Sequence, residues 1–379
     1  MTRSKFRTLK AVLLTSSLGM GTTSLAHAEE EEPKWYDNIS LGAFVDAYGA
    51  IRSDRNREGG GYGHEAYVQA DGFSLAFAGL DVAYEGEEFG ATISFRAGPG
   101  VVRFFAGDQG PLGIDNITQA YATWKPGLIE GLTLDLGMFG TIYGAEVAES
   151  WMNQNYSRGA LYYAFQPFWH TGLRAAYAVN DTLTVTGLVV NGVNTMFEDN
   201  KSPSLGLQLG IAPSDAFSLA VGYLGALHPH NGGEAPGPGR PGSGFQNFFD
   251  VVANVSVGDF SLVGNFDINL YQPNSGDDME NWWGISVAPG YAFTDWFGAA
   301  ARVEYLGATT DVLGEEDGTL LTLTGTLDFK PVPNSGAVVL RPEFRYEMAS
   351  FDDYYFDDKG GPTDAFWSAH LGVVVTSMN

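Results

Sequence analysis

About sixteen times along the chain, apolar and polar residues alternate at the period of two that a β-strand requires, separated by connections that are alternately long and short. At 320–329, Leu321, Leu323, Leu327 and Phe329 fall on one face and Thr322, Thr324, Thr326 and Asp328 on the other. At 260–271, Phe260, Leu262, Phe266, Ile268 and Leu270 oppose Ser261, Asn265, Asp267 and Asn269. The pattern predicts strands near 38–50, 72–86, 89–101, 114–125, 130–141, 161–179, 181–191, 203–212, 215–228, 246–257, 259–271, 281–292, 296–308, 318–329, 336–349 and 364–376. Most are long enough to cross a bilayer at a tilt, for which about 9 to 11 residues suffice. Long polar loops follow the odd strands, at 51–71, 102–113, 142–160, 192–202, 229–245, 272–280, 309–318 and 350–363. The even strands end in tight turns such as Asn180-Asp181, Pro213-Ser214, Gly258-Asp259 and Thr294-Asp295. Long connections at one end and short ones at the other are the layout of an all-β, antiparallel up-and-down transmembrane barrel. A sandwich or propeller has no reason to show it.

The basic residues obey the same geometry. A charged side chain facing lipid at the midplane costs about 2 to 4 kcal/mol. The arginines well inside predicted strands are Arg96, Arg174, Arg302, Arg341 and Arg345, and each shares the polar parity of its strand. Arg96 aligns with Thr92 and Ser94, Arg174 with Gln166 and His170, and Arg302 with Glu304. One strand sets Arg341, Glu343, Arg345 and Glu347 against Val338, Leu340, Phe344, Tyr346 and Met348. The polar faces therefore predict a hydrated lumen lined by Arg96, Asp135, His170, Arg174, Asp267, Arg302, Glu304, Arg341, Glu343, Arg345 and Glu347. These charges nearly balance, so the acidic loops are expected to tilt selectivity toward cations.

Trp35, Tyr36, Trp124, Tyr162, Tyr163, Trp282, Trp283, Trp296, Phe366 and Trp367 collect near predicted strand ends and read as headgroup girdles. Acidic clusters occur in loops at Asp277, Asp278 and Glu280, at Glu315, Glu316 and Asp317, and at Asp352, Asp353, Asp357 and Asp358. Grouped carboxylates can take divalent cations, but a solvated, self-repelling surface is the simpler reading, and none has the ligand spacing of an EF-hand loop. No metal site or cofactor is expected.

Residues 1–28 read as a secretory signal peptide: Arg3, Lys5, Arg7 and Lys10 precede a short apolar run, and Ala26-His27-Ala28 offers a small-x-small cleavage site. A short segment at 29–37 would then lead into a single barrel domain at 38–379. Without the signal, 16 Lys and Arg face 45 Asp and Glu, a formal charge of −29 that excludes nucleic acid as a partner. There is no cysteine, hence neither a disulfide framework nor a thiolate metal site. Six scattered histidines give no catalytic constellation. His228 and His230 bracket a proline beside a Gly- and Pro-rich loop, and His170 has no Ser or Asp placed with it. The chain is not expected to be an enzyme.

The loop at 142–160 carries Glu146, Glu149, Asn153, Gln154, Asn155, Ser157 and Arg158. It either folds into the lumen, where Glu146, Glu149 and Arg158 would shape a constriction, or caps the barrel from outside. Around it run Gly137-Met138-Phe139-Gly140-Thr141-Ile142-Tyr143-Gly144-Ala145-Glu146 and Asn155-Tyr156-Ser157-Arg158-Gly159. Gln166-Pro167-Phe168-Trp169-His170-Thr171-Gly172-Leu173-Arg174-Ala175 and Val190-Asn191-Gly192 follow. Over about residues 130–195 this sequence resembles the OmpL-like β-barrel porin-2 family. The resemblance implies a porin in the outer membrane of a Gram-negative bacterium and brings no catalytic residues. The expected function is passive diffusion of small hydrophilic solutes or ions through a water-filled channel of about sixteen strands. Outer-membrane lipid and a possible homotrimer are the expected partners. A substrate-specific transporter, or a secreted β-rich structural or binding protein, remains open.

Overall fold

The computed structural model describes residues 34–54, 71–105, 116–198, 202–227, 244–273, 278–309, 313, 317–332, 337–351 and 354–377. The signal segment, His228, His230, Asp277, Glu315, Glu316, Asp352 and Asp353 lie outside the described residues. Sixteen strands close into one antiparallel barrel. They are β1 (Ile39–Arg52), β2 (Gly72–Glu85), β3 (Phe89–Ala97), β4 (Ile117–Trp124), β5 (Leu132–Gly140), β6 (Trp169–Ala178), β7 (Leu183–Val190) and β8 (Ser204–Ser214). Then come β9 (Phe217–Leu227), β10 (Gly244–Val257), β11 (Phe260–Pro273), β12 (Glu280–Thr294), β13 (Phe297–Ala308), β14 (Thr319–Phe329), β15 (Val338–Ala349) and β18 (Ala365–Thr376). A two-stranded ribbon, β16 (Tyr355–Phe356) with β17 (Pro362–Thr363), sits in the loop before β18.

Each barrel strand pairs with its sequence neighbours, and β1 closes on β18 in a register running from Phe44↔Thr376 to Arg52↔Ser368. Closure leaves no strand edge without a partner, the condition for crossing hydrocarbon as a sheet. The tight turns are built from local chemistry. The Asn180 side chain accepts the Thr182 and Leu183 N–H groups at 2.9 Å each, the Thr294 hydroxyl accepts the Phe297 N–H at 3.0 Å, and Gly258 supplies a φ of 60°. These turns lie at the end where both β1 and β18 have their outer termini.

The alternation resolves into two faces. In β15, Val339, Arg341, Glu343, Arg345, Glu347 and Ala349 are buried, and Phe344 and Met348 are exposed. Across the β13–β14 pair, Val303 and Leu323 face outward, while Arg302 and Thr324 one residue on face inward. Leu323→Arg would place a guanidinium near mid-strand on the lipid face. It is expected to lower folding stability by about 2 to 4 kcal/mol, measured by equilibrium folding into vesicles, with Leu323→Ala losing less.

Two predicted strands are shorter than the pattern implied. The segment at 89–101 ends at Ala97, because Gly98, at φ 120°, turns the chain and Pro99 opens helix α1 (Pro99–Phe104). The segment at 161–179 begins with helix α2 (Ala160–Phe165), and β6 starts only at Trp169. Gln166 ends that helix in an extended conformation, φ −92° and ψ 145°, as a residue before proline must. Gln166 is consequently on a loop and not on the strand face with Arg174. The girdle reading holds for Trp35, Tyr36, Trp124, Trp296 and Trp367, which are exposed near strand ends. It fails for Tyr162 and Tyr163, which belong to α2, and for Trp282 and Phe366, which are buried on the inner parity of their strands.

Candidate functional site

The connection from β5 to β6, residues 141–168, is the longest fully described one, and it folds into the barrel. Contacts with strands all round the wall hold it there. On one side, Ser150 Oγ donates to Asp46 of β1 at 2.7 Å, Tyr156 Oη donates to the same carboxylate at 2.9 Å, and Arg96 of β3 pairs with Glu149 at 2.8 Å. On another, the Tyr143 hydroxyl donates to the Tyr223 carbonyl of β9 at 2.8 Å, and the Ala145 N–H donates to Asn265 Oδ1 of β11 at 2.9 Å. Against β13, Arg302 reaches Glu146 at 2.6 Å and the Ser157 carbonyl at 2.7 Å. Glu304 accepts the N–H groups of Ala160 and Leu161 at 3.1 Å each, and Glu343 of β15 accepts those of Tyr156 at 2.7 Å and Ser157 at 3.0 Å. Asn155 completes the circuit by donating to Thr326 of β14 at 2.7 Å.

A loop crossing an enclosed space must satisfy its own backbone polar groups, and here the strand carboxylates do so. Glycine makes the close approach possible at two points. A Cβ on Gly372 of β18 would lie 2.3 Å from the Tyr156 ring, and one on Gly159 would lie 2.2 Å from Glu304.

All eleven lumen residues expected from the sequence are buried inside the barrel. Arg96 pairs with Asp81 at 2.6 Å, Arg174 with Asp135 at 2.8 Å, Arg302 also with Glu304 at 3.1 Å, Arg341 with Asp328 at 2.6 Å, and Arg345 with Glu347. His170 lies 2.9 Å from the Gly192 carbonyl through Nδ1 and 3.1 Å from the Thr141 hydroxyl through Nε2. A carbonyl can only accept, so Nδ1 carries the proton and Nε2 takes the hydroxyl hydrogen. Of the loop candidates, Glu146 and Glu149 meet Arg302 and Arg96. Arg158 instead staples the loop to itself by donating to the Tyr156 and Ala148 carbonyls.

Pattern reading missed Asp46, Arg52, Asp54, Asp81, Asp250 and His370. The inner parity of β1 also carries Phe44 and Tyr48, and that of β10 carries Phe248, because those side chains pack into apolar clusters with loop residues such as Trp151 and Tyr143. Isolated carboxylates among apolar strand residues were the available signal. Among the described residues, seven arginines and nine Asp or Glu are buried, so the near balance expected of the wall becomes an acidic excess. The arginines sit on β1, β3, β6, β13, β15 and the loop; the arc β7–β12 has none.

Three apolar clusters fill much of the remaining interior. Phe104 and Tyr162 belong to one, Leu161, Phe165, Trp282, Tyr355 and Phe366 to the second, and Phe139, Tyr143 and Phe248 to the third. Between the loop and the wall of β10–β13 lies a cavity of about 150 Å³ lined by Glu146, Gln154, Gln166, Asn254, Asn265, Ser286, Arg302 and Glu304 among others. Among the described residues, no three or more His, Cys, Asp or Glu side chains gather as metal ligands. In the β16–β17 ribbon, the Asp357 carboxylate accepts the N–H groups of Gly361 at 2.7 Å and Lys359 at 2.8 Å, which hold its pKa below the ordinary carboxylate value.

This architecture is shared with solved outer-membrane barrels. OmpT of Vibrio cholerae superposes with a TM-score of 0.58 at 11% identity, covering 89% of this chain and 97% of its own. The outer membrane channel DcaP of Acinetobacter baumannii gives 0.58 at 10% identity, covering 89% and 96%. The anion-selective porin of Comamonas acidovorans gives 0.58 at 9% identity, covering 89% and 99%. Identities this low show a common fold alone. No curated protein sequence matches the chain. The family model described as "Putative beta-barrel porin-2, OmpL-like" matches residues 38–375, which is the whole barrel. The chain therefore belongs to the OmpL-like β-barrel porin-2 family, and it is an outer-membrane porin.

Proposed function

We propose that the channel passes small hydrophilic solutes, cations ahead of anions, down their gradients with no cofactor and no chemical step. The observation that carries this reading is the inward loop, pinned by ion pairs so that a cavity with charged and amide side chains on its lining remains against β10–β13. The wall residues Arg96, Asp135, His170, Arg174, Asp267, Arg302, Glu304, Arg341, Glu343, Arg345 and Glu347 set the field, with Glu146 and Glu149 from the loop. Arg158 keeps the loop folded. The excess of buried carboxylates over arginines favours cations. A homotrimer is part of the proposal, supported by a trimeric form of the Vibrio cholerae OmpT, a structural neighbour.

The test is planar-bilayer conductance of refolded protein, with reversal potentials in a salt gradient. Conductance proportional to salt with a cation-side reversal potential is expected. Saturating, blockable current would replace general diffusion with specific transport, and no current at any voltage would remove the channel. Ser286 lines the cavity from β12, so Ser286→Cys is expected to lose most of its current when a charged thiol reagent is added. Unchanged current after complete labelling would place the permeation path elsewhere.

A further inference from the structure

Asp250 of β10 and Asp267 of β11 are directly opposed cross-strand partners, both fully buried on the lumen side. One amide nitrogen, Asn265 Nδ2, bridges the two carboxylates. Elsewhere in the described lumen, Asp81, Asp135, Glu304 and Glu347 are answered by arginines, and Asp46 and Glu343 by hydroxyl or backbone N–H donors of the inward loop. Here the strands β7–β12 contain neither Lys nor Arg, and the groups touching the pair are neutral. Asn265 Nδ2 lies 3.0 Å from Asp250 and 3.1 Å from Asp267, and Gln166 Nε2 lies 2.7 Å from Asp267 and 2.6 Å from Asn265 Oδ1. Two negative charges this close and this dry need a positive charge between them.

A second feature says what kind. Gln166 is buried, and among the described residues its Oε1 has no hydrogen-bond donor; Asp250 Oδ2 has none there either. Gln166 Oε1 is wedged where a Cβ on Gly144 would approach it to 2.1 Å, on the loop root that packs over the pair. The Ala145 N–H fixes the Asn265 amide with Oδ1 toward Gln166, whereas the Gln166 carboxamide can exchange its O and N positions by a half-turn and bring Oε1 to Asp267 and Asn265 Oδ1, so that oxygens of all four residues can gather here. Oxygen donors without sulfur or imidazole select a hard cation, and Ca²⁺ takes about 6 to 8 of them. Gln166 and Asn265 also line the cavity of about 150 Å³ beside β10–β13, large enough for water molecules that could complete a cation's shell.

We propose that Asp250, Asp267, Asn265 and Gln166 form a binding site for a hard divalent cation, Ca²⁺ being the probe of choice, which clamps the root of the inward loop to the β10–β11 wall. The site is separate from the exposed acidic loops and from the arginine-paired charges.

The test uses the full chain refolded in detergent, stripped with a chelator and titrated with Ca²⁺ by calorimetry and by thermal unfolding. The wild-type barrel is expected to bind one Ca²⁺ that Asp267→Asn does not, and to melt higher with Ca²⁺ than with chelator. Asp267→Asn should lose that shift. Gln166→Ala keeps both carboxylates, so it serves if Asp267→Asn fails to fold; its affinity is expected to fall about tenfold. Equal stoichiometry and affinity in wild type and both variants would overturn the proposal. So would a wild-type barrel indifferent to Ca²⁺ and chelator that loosens only at alkaline pH, the behaviour of two carboxyls sharing a proton. Binding is read on the folded barrel without passing current, so its failure is distinguishable from failure of the channel.

Discussion

Replacing residues 147–158 with a short Gly-Ser linker is expected to raise single-channel conductance severalfold while leaving the barrel folded. The cut is set by geometry: the Gly159 N–H donates to the Glu146 carboxylate, so the ends to be joined already lie together. The excised stretch holds the contacts to Asp46, Arg96, Thr326 and Glu343, but none of the strand pairings and none of α2. Arg302 keeps Glu146 and Glu304 as partners. A sixteen-stranded barrel relieved of this segment should regain an aqueous passage on the β1, β14, β15 and β18 side. Glu343 and Asp46 would then face water, and the reversal potential should move further toward cations. An unchanged conductance in a correctly folded variant would mean that the segment does not limit the current, and the constriction would have to be sought in another loop.

The barrel was legible because lipid enforces period-two alternation and forbids outward arginines, constraints that act on each strand separately. Thr322, Thr324 and Thr326 opposite Leu321 and Leu323 needed no knowledge of their neighbours. The interior was less legible where it is not simply wet. Leu161, Tyr162 and Phe165 are buried in the barrel, so α2 carries apolar residues for the same reason a lipid-facing strand does, and its sequence extends the alternation of β6 backwards. Trp282 and Phe366 misled as girdle residues for a related reason: each is next to an outward-facing aromatic, Trp283 or Trp367, and only pairing register decides which of the two faces lipid. The charged residues of the loop were correctly singled out, but their partners are 53 residues away for Glu149 and 156 for Glu146, distances over which no local pattern speaks. Arg158 shows the limit most clearly. Its charge marked it as a constriction group, while Nη1 and Nη2 both donate to the loop's own carbonyls.

Arg302→Met is expected to be the most damaging single substitution in the ion-pair network, lowering stability by about 3 to 5 kcal/mol in equilibrium unfolding from detergent micelles. Arg302 is buried between Glu146 and Glu304, and it also donates to the Ser157 carbonyl. Methionine fills similar volume, so the loss would not come from a cavity. It would come from leaving two buried or half-buried carboxylates close together without their shared cation, with Glu304 still bound to the Ala160 and Leu161 N–H groups. That origin can be separated from simple loss of attraction. If stranded charge is the cause, Glu146→Gln and Glu304→Gln added to Arg302→Met should recover a large part of the stability, because amides accept the same N–H groups without the charge. If attraction alone mattered, the triple variant would be no better than the single one. A loss below about 1 kcal/mol in the single variant would be the behaviour of a hydrated, exposed pair, and the loop would then owe its position to packing by Tyr143, Tyr156, Leu161 and Phe165 rather than to the charges around it.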